Sequence, residues 1–161
     1  LHLIPVASVF RDEVALHRAE ELAASLALVA GVSENDVTVD RERRRAVVRA
    51  KPLPGASLAT FYELEQRLAA RRPEWRIELT PPRGDLPQVS FTNGAPDAAG
   101  QSALDLIAWA AKRLDSPVMV VGPAAQTDSV VQWLKGEGVA ARAVTGRSAN
   151  QVLAEWDRAT Q

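Results

Sequence analysis

The sequence is poor in the side chains on which most catalytic and metal sites depend. Its 161 residues include no cysteine and only two histidines, His2 and His17. Without cysteine the chain has no disulfide, no thiol nucleophile and no zinc–thiolate site, and two histidines do not make a multi-histidine metal centre. We therefore expect no metal site and no cofactor.

The chain also lacks an excess of charge of either sign and any long hydrophobic run. It carries 19 Lys and Arg against 20 Asp and Glu, whereas a nucleic-acid-binding domain usually shows an excess of basic residues. No apolar run reaches the roughly 18 residues that span a bilayer. Apolar residues make up 47% of the chain, but 28 of them are alanine. These values predict small cores and argue against a nucleic-acid partner.

A cluster of helix- and strand-breaking residues divides the sequence. Pro81, Pro82, Gly84 and Pro87 lie close together among polar residues. Proline has no backbone N–H and interrupts both helices and strands. The cluster predicts a Pro-rich linker over 81–87 between two domains, 1–80 and 88–161.

The first domain changes between the helical and the strand period of apolar residues. Alternating valines on both sides of a charged turn are typical of a hairpin, and serine is a common helix cap. In chain order the pattern predicts a strand over 3–10, a helix between Asp12 and Gly31, a hairpin over 37–50, a helix between Ser57 and Pro73, and a strand over 75–79. This order, βαββαβ, is the split βαβ pattern of a two-layer sandwich.

The second domain repeats the alternation of strands and helices. In chain order the pattern predicts a strand over 88–91, a helix capped by Asp97, a strand from Val118 to Gly122, a helix opening at Thr127 or Asp128 and closing near Gly136–Gly138, and a strand over 141–144. The segment from Asn150 to Trp156 fits a strand or a helical face, and we favour a strand. The fold class predicted for the whole chain is α+β, with two small two-layer sandwiches.

The remaining polar residues form no catalytic pattern. The sequence has no GxSxG motif, and no histidine lies near the acidic residues of the second half. The turn from Gly122 to Gln126 joins a strand to a helix, where phosphates bind in other proteins, but it lacks the Gly-rich motifs of nucleotide sites. We predict that the chain is not an enzyme, and a small-ligand or nucleotide-binding domain stays an alternative.

One basic cluster lies in the predicted hairpin of the first domain. Its members are Arg41, Arg43, Arg44, Arg45, Arg49 and Lys51. Asp40 and Glu42 interrupt the cluster, and no aromatic residue stands among the arginines to stack on bases. The cluster predicts a solvated hairpin tip, and contact with an anionic lipid or a wall polymer is the alternative.

Small and apolar residues recur in a characteristic order in the second half. They are Phe91, Gly94, Ala95, Gly100, Leu104, Ile107, Ala108, Val118, Val120, Gly122, Val130, Trp133, Leu134, Gly138, Val139, Gly146, Asn150 and Val152. In this order they resemble the OmpA-like domain, a family of bacterial cell-envelope modules that dock on peptidoglycan. The resemblance covers about residues 88–156 and implies the fold of that family.

The resemblance also implies where a ligand site would lie. In the family an aspartate and an arginine bind the diaminopimelate end of the wall peptide, by opposite-charge pairing. In this sequence part of the family pattern is missing after Gly122, and Gln126 stands at the arginine position. The resemblance therefore implies a degenerate OmpA-like domain, in which Gly122, Gln126, Asp128 and Arg142 are the candidates for a rearranged site.

The first domain is similar in outline to BON domains, which precede OmpA-like domains in some envelope proteins. The two resemblances together imply a non-catalytic periplasmic scaffold or protein-interaction segment. Its partner would be an envelope protein or a second copy, and a segment upstream of Leu1 would tether it to a membrane. A peptidoglycan-binding module with a rearranged site is the alternative.

Overall fold

A computed structural model describes residues 32–146 and 151–158 of the chain. The predicted strand over 3–10 and the predicted helix between Asp12 and Gly31 lie outside the described residues. Within them the chain is a mixture of small sheets and helices, and the predicted α+β class is confirmed. None of the helices in the described ranges combines the length and the apolarity that a bilayer span needs.

The described residues fall into two compact units. Residues 32–53 and 63–80 form the N-terminal unit, and residues 54–62 and 81–146 with 151–158 form the C-terminal unit.

The N-terminal unit contains a three-stranded sheet. Its strands are β1 (Val37–Asp40), β2 (Arg45–Arg49) and β3 (Arg76–Thr80), in the order β1-β2-β3. β1 and β2 form the predicted antiparallel hairpin. Arg44, in the turn of this hairpin, has a φ of 51°. β3 is parallel to β2, with Arg76 opposite Arg45, so the helix between them serves as the crossover connection.

That helix, α1 (Leu58–Arg71), follows Ser57 and ends two residues before Pro73, as the sequence predicts. Leu68 is buried in the part of this helix that belongs to the N-terminal unit, and Leu58 and Phe61 are buried in the part that belongs to the C-terminal unit.

Glu65 lies on the same helix and is also buried, at 6% exposure, although its type predicts an exposed position. Its Oε2 accepts a hydrogen bond of 2.8 Å from the backbone N–H of Leu79 in β3. This bond satisfies one oxygen of the buried carboxyl group, and a buried polar group is tolerated when it is hydrogen-bonded.

The C-terminal unit has its own core around two helices. They are α2 (Ala98–Leu114) and α3 (Ala124–Gly136). Asp97 caps α2 as predicted, since its side chain accepts from the N–H of Gly100. The core is filled by alanine, valine and leucine side chains of both helices and of the sheet, including Leu104, Ile107 and Leu134.

The strands of this unit form two separate sheets, one of two strands and one of three. β4 (Phe91–Thr92) and β5 (Ala95–Pro96) form a short hairpin by themselves. The principal strands are β6 (Val118–Gly122), β7 (Ala141–Thr145) and β8 (Leu153–Trp156), in the order β7-β6-β8. β7 is parallel and β8 antiparallel to β6. The final segment is thus a strand, which confirms the interpretation that we favoured.

Two predictions of local structure are wrong. The strand expected over 88–91 is not formed; Val89 makes a single bridge to Val152, and the pairing that follows belongs to the β4–β5 hairpin. The helix expected to open at Thr127 or Asp128 begins at Ala124. Pro123 precedes it with a φ of −61°, and a proline at a helix start loses no hydrogen bond.

Candidate functional site

The sheet of the C-terminal unit has one face on the core and one face turned away from it. Val118 and Val120 of β6 are fully buried among the side chains of α2 and α3. Successive residues of a strand point to opposite faces, so Met119 and Val121 lie on the other face. Arg142 of β7 and Glu155 of β8 are opposite Met119 in register and share that face with it.

A groove of about 620 Å³ lies on this outer face. Its lining residues are Asp85, Leu86, Met119, Arg142, Leu153, Ala154, Glu155, Trp156, Asp157 and Arg158. The lining therefore combines apolar side chains with acidic and basic groups, which is the composition of many sites that bind a partner or a small ligand.

Arg142 forms an ion pair with Asp157 in the groove. Its Nε donates to Oδ2 of Asp157 over 2.6 Å and its Nη2 donates to Oδ1 over 3.2 Å, the two-point geometry that arginine forms with a carboxylate. The hydrogen bond and the negative charge of Asp157 raise the pKa of Arg142 above its ordinary value. The guanidinium thus keeps its charge and has a fixed orientation.

The two partners of this ion pair differ in burial. The side chain of Arg142 is 48% exposed, whereas that of Asp157 is 3% exposed. The backbone N–H of Asp157 also donates to the carbonyl of Pro117, which holds the residue against the start of β6. The pair therefore presents a solvent-accessible cation on a buried carboxylate.

The segment before β4 forms another wall of the groove. The indole Nε1 of Trp156 donates to the carbonyl of Gly84 over 2.9 Å. The guanidinium of Arg83 lies over the same indole ring, 5.9 Å from its centroid, and donates to Ser116 Oγ. These contacts attach the segment to β8 and place Asp85 and Leu86 beside the groove.

The four residues predicted as a rearranged site do not come together. Gln126 and Asp128 lie in the first turns of α3, and α3 packs on the core face of the sheet. Arg142 lies on the outer face, with the sheet between it and the helix. Asp128 is exposed, and Gln126 is partly exposed.

Gly122 has a packing role at the end of β6. An added Cβ would lie 2.7 Å from the backbone oxygen of Gln151 and 3.2 Å from Cα of Val152. The backbone oxygen of Gly122 also accepts from Gly146 N–H. The small size of this residue is thus required by the close approach of the chain segments beside it.

The sequence interpretation missed Asp157, although this residue fixes the orientation of Arg142. The only signal was an acidic residue directly after an alternating strand pattern, and that signal does not identify a partner 15 residues away.

The outer edge of β7 is a second candidate site. Ala140 and Gly146 direct a backbone oxygen and a backbone N–H, respectively, towards β6. Strand geometry then directs the backbone groups of Arg142 and Val144 towards β6 as well, and those of Ala141, Ala143 and Thr145 away from it. Among the described residues no strand pairs with this outer edge. Within the described part of the chain, three N–H groups and three carbonyls of this edge therefore have no strand partner.

Neither the groove nor the β7 edge has the features of a metal site. In the part of the chain that the structure describes, no group of His, Cys, Asp or Glu side chains is arranged to hold an ion.

Comparisons with models of protein families, with curated proteins and with solved structures found no match. The resemblances to OmpA-like and BON domains therefore stay predictions.

Proposed function

We propose that this chain is a non-catalytic interaction segment of a bacterial envelope protein, located in the periplasm, that binds an extended protein strand along the outer edge of β7. The observation that carries the proposal is the row of outward-directed backbone groups at Ala141, Ala143 and Thr145. Strand addition to such an edge is a common mode of protein recognition, because the backbone supplies the hydrogen bonds.

The composition of β7 supports this role. Natural proteins protect exposed edges with proline, lysine, bulges or covering segments. β7 has the sequence ARAVT, without proline or lysine, and pairs with β6 in uninterrupted register. Its one charged side chain, that of Arg142, is held by Asp157 rather than projecting along the edge.

Among the described residues, two other edge strands, β3 and β8, carry contacts at their outer backbone groups. In the N-terminal unit Glu65 accepts the outward N–H of Leu79 on β3. In the C-terminal unit the N–H of Val89 donates to the carbonyl of Val152, beside β8. Both hydrogen bonds use backbone groups to which an added strand would otherwise bind.

A second copy of the chain is a suitable partner for β7. In an antiparallel pair centred on Ala143, each Ala141 faces a Thr145 and each Arg142 faces a Val144. Like charges do not face each other directly, and the two alanines at the centre leave room for close approach. Five residues per strand bury far less than the roughly 800 Å² per partner of stable interfaces, so we expect a weak dimer, with a dissociation constant of about 0.1–1 mM.

Sedimentation equilibrium at increasing protein concentration tests this proposal. Ala143→Pro removes an outward N–H and leaves the bonds of β7 to β6 in place, so we expect the variant to fold and to stay monomeric. Ala143→Val keeps the N–H and should associate as the unsubstituted chain does. Dimerisation that survives Ala143→Pro would contradict the proposed binding edge, and a chain that stays monomeric at about 1 mM would contradict a second copy as its partner.

Arg142 supports peptidoglycan binding as a second candidate function. It is the one predicted ligand residue that lines the groove, where Asp85 and Glu155 supply carboxylates for the amino group of a zwitterionic wall peptide. Gln126 and Asp128 lie on the other side of the sheet and have no part in this version of the site.

Cosedimentation with purified sacculi tests the second candidate. Arg142→Gln should abolish binding, and Arg49→Gln, which removes an exposed arginine of the N-terminal unit, should not change it. Equal binding of Arg142→Gln and the unsubstituted chain would remove the groove from consideration.

A further inference from the structure

The fold brings two separate arginine clusters to one end of the N-terminal sheet. The first is the β1–β2 turn, and the second is the connection from α1 to β3. Because β2 and β3 are parallel, the two connections meet where both strands begin: Arg45 is opposite Arg76, and Arg76 N–H donates to the carbonyl of Arg44 over 2.7 Å. We call this region the arginine end; its basic residues are Arg41, Arg43, Arg44, Arg45, Arg71, Arg72 and Arg76.

The arginine end carries more positive than negative charge. It contains seven arginines and four acidic residues, Asp40, Glu42, Glu74 and Glu78. The carboxylate of Glu78 forms ion pairs with Arg45 Nη2, at 2.6 Å, and with Arg76 Nε, at 3.3 Å. Oδ2 of Asp40 lies 3.9 Å from Nε of Arg43.

Four arginines of this end have side chains that are exposed to solvent. Arg41, Arg44, Arg71 and Arg72 are exposed and form no ion pair within the described ranges. Arginine binds phosphate groups through two parallel N–H donors, which makes it well suited to an anion of this kind.

We propose that the arginine end binds the phosphate headgroups of an anionic phospholipid membrane. The hairpin turn and the connection before β3 lie at the same end of the sheet, so one flat surface can contact several guanidinium groups together. Lipid headgroups in a fluid bilayer can rearrange around the exposed Glu42 and Glu74, and each basic residue near an anionic leaflet adds to the binding.

A nucleic acid is a poorer match to the same surface. Tracking a phosphate backbone requires a continuous basic groove, usually with several aromatic side chains that stack on bases. The arginine end has one aromatic side chain, Trp75, which is only partly exposed, and acidic residues interrupt both arginine runs. A fluid anionic surface is therefore the better partner.

Flotation with lipid vesicles tests the inference on the full chain. We expect binding to vesicles of phosphatidylglycerol and phosphatidylcholine (about 3:7), no binding to phosphatidylcholine alone, and loss of binding between about 0.1 and 0.5 M NaCl. Combining Arg41→Gln, Arg44→Gln, Arg71→Gln and Arg72→Gln should raise the lipid concentration for half-maximal binding at least tenfold.

A control variant removes four positive charges from other places. It combines Arg49→Gln, Lys51→Gln, Lys112→Gln and Lys135→Gln, and circular dichroism verifies that both variants fold. The inference is supported if the control binds vesicles within about threefold of the unsubstituted chain. It is overturned if both variants lose binding equally, if neither does, or if the chain binds a DNA duplex and not the anionic vesicles.

Discussion

Replacing Glu65 by methionine should destabilise the N-terminal unit, because the backbone N–H of Leu79 then loses its acceptor in a buried position. Glu65 is 6% exposed and accepts that N–H over 2.8 Å. Methionine has a similar length and volume but offers no acceptor of comparable strength. An unsatisfied buried donor costs about 1–3 kcal/mol, and we expect a loss of this size in the free energy of unfolding.

Two further variants separate the hydrogen bond from other effects. Glu65→Gln keeps a side-chain oxygen and should cost less than Glu65→Met. Glu63→Gln removes an exposed carboxylate two residues away, whose ion pair with Arg67 is 3.7 Å long and solvated, so it should change stability by less than about 0.5 kcal/mol.

Urea denaturation followed by the fluorescence of Trp75, with Trp109, Trp133 and Trp156 replaced by phenylalanine in all variants, measures these differences. The unit that contains Trp75 is the one that contains Glu65 and Leu79. A Glu65→Met variant as stable as Glu65→Gln would refute the reasoning, since the missing acceptor would then have no cost.

Three further predictions concern the C-terminal unit. Gly100→Ala places a Cβ against the backbone oxygen of Ser90, and thermal denaturation should show a destabilisation of about 1–3 kcal/mol. Gly136→Ala, at the end of α3, has nothing within 4 Å of the new Cβ and should instead stabilise by about 0.5–1 kcal/mol. The hydrogen bonds from Ser90 and from Gly100 N–H hold the pKa of Asp97 below its usual range, so the stabilisation by Asp97 is complete above about pH 4 and is lost as the pH falls through the lowered pKa. Denaturation curves between about pH 2 and 6 should show this loss, and Asp97→Asn should remove this part of the pH dependence.

Features that depend on neighbouring residues could be predicted from the sequence. The hairpin of β1 and β2 follows from alternating valines around a charged turn, and the start of α2 follows from the capping side chain of Asp97. The final strand was predictable from the alternation of Val152, Ala154 and Trp156, although a helical face fitted the same residues.

Features that depend on distant residues could not be predicted. The burial of Glu65 requires the N–H of Leu79, which lies 14 residues away on another element. Thr127 has the polarity of a helix cap, yet it is 1% exposed inside α3, where its hydroxyl donates to the carbonyl of Ala124. Its local sequence suggested a helix start because the contacts that bury it come from the tertiary structure.

The candidate sites show the same distinction. Arg142 was recognisable as a charged residue in a strand, but its pairing with Asp157 depends on β7 and the segment after β8 approaching the same end of β6. The separation of Arg142 from Gln126 and Asp128 depends on the strand register, since a shift by one residue would place Arg142 on the core face.

Amide hydrogen exchange of β7, measured residue by residue by NMR at low and at high protein concentration, tests the proposed binding edge most directly. The account predicts protection of Arg142 and Val144 at both concentrations, because their N–H groups point to β6. The amides of Ala141, Ala143 and Thr145 should exchange rapidly in dilute solution and become protected when the chain associates. Protection of these three amides in the dilute monomer, or rapid exchange in the associated chain, would contradict the claim that this edge binds a strand.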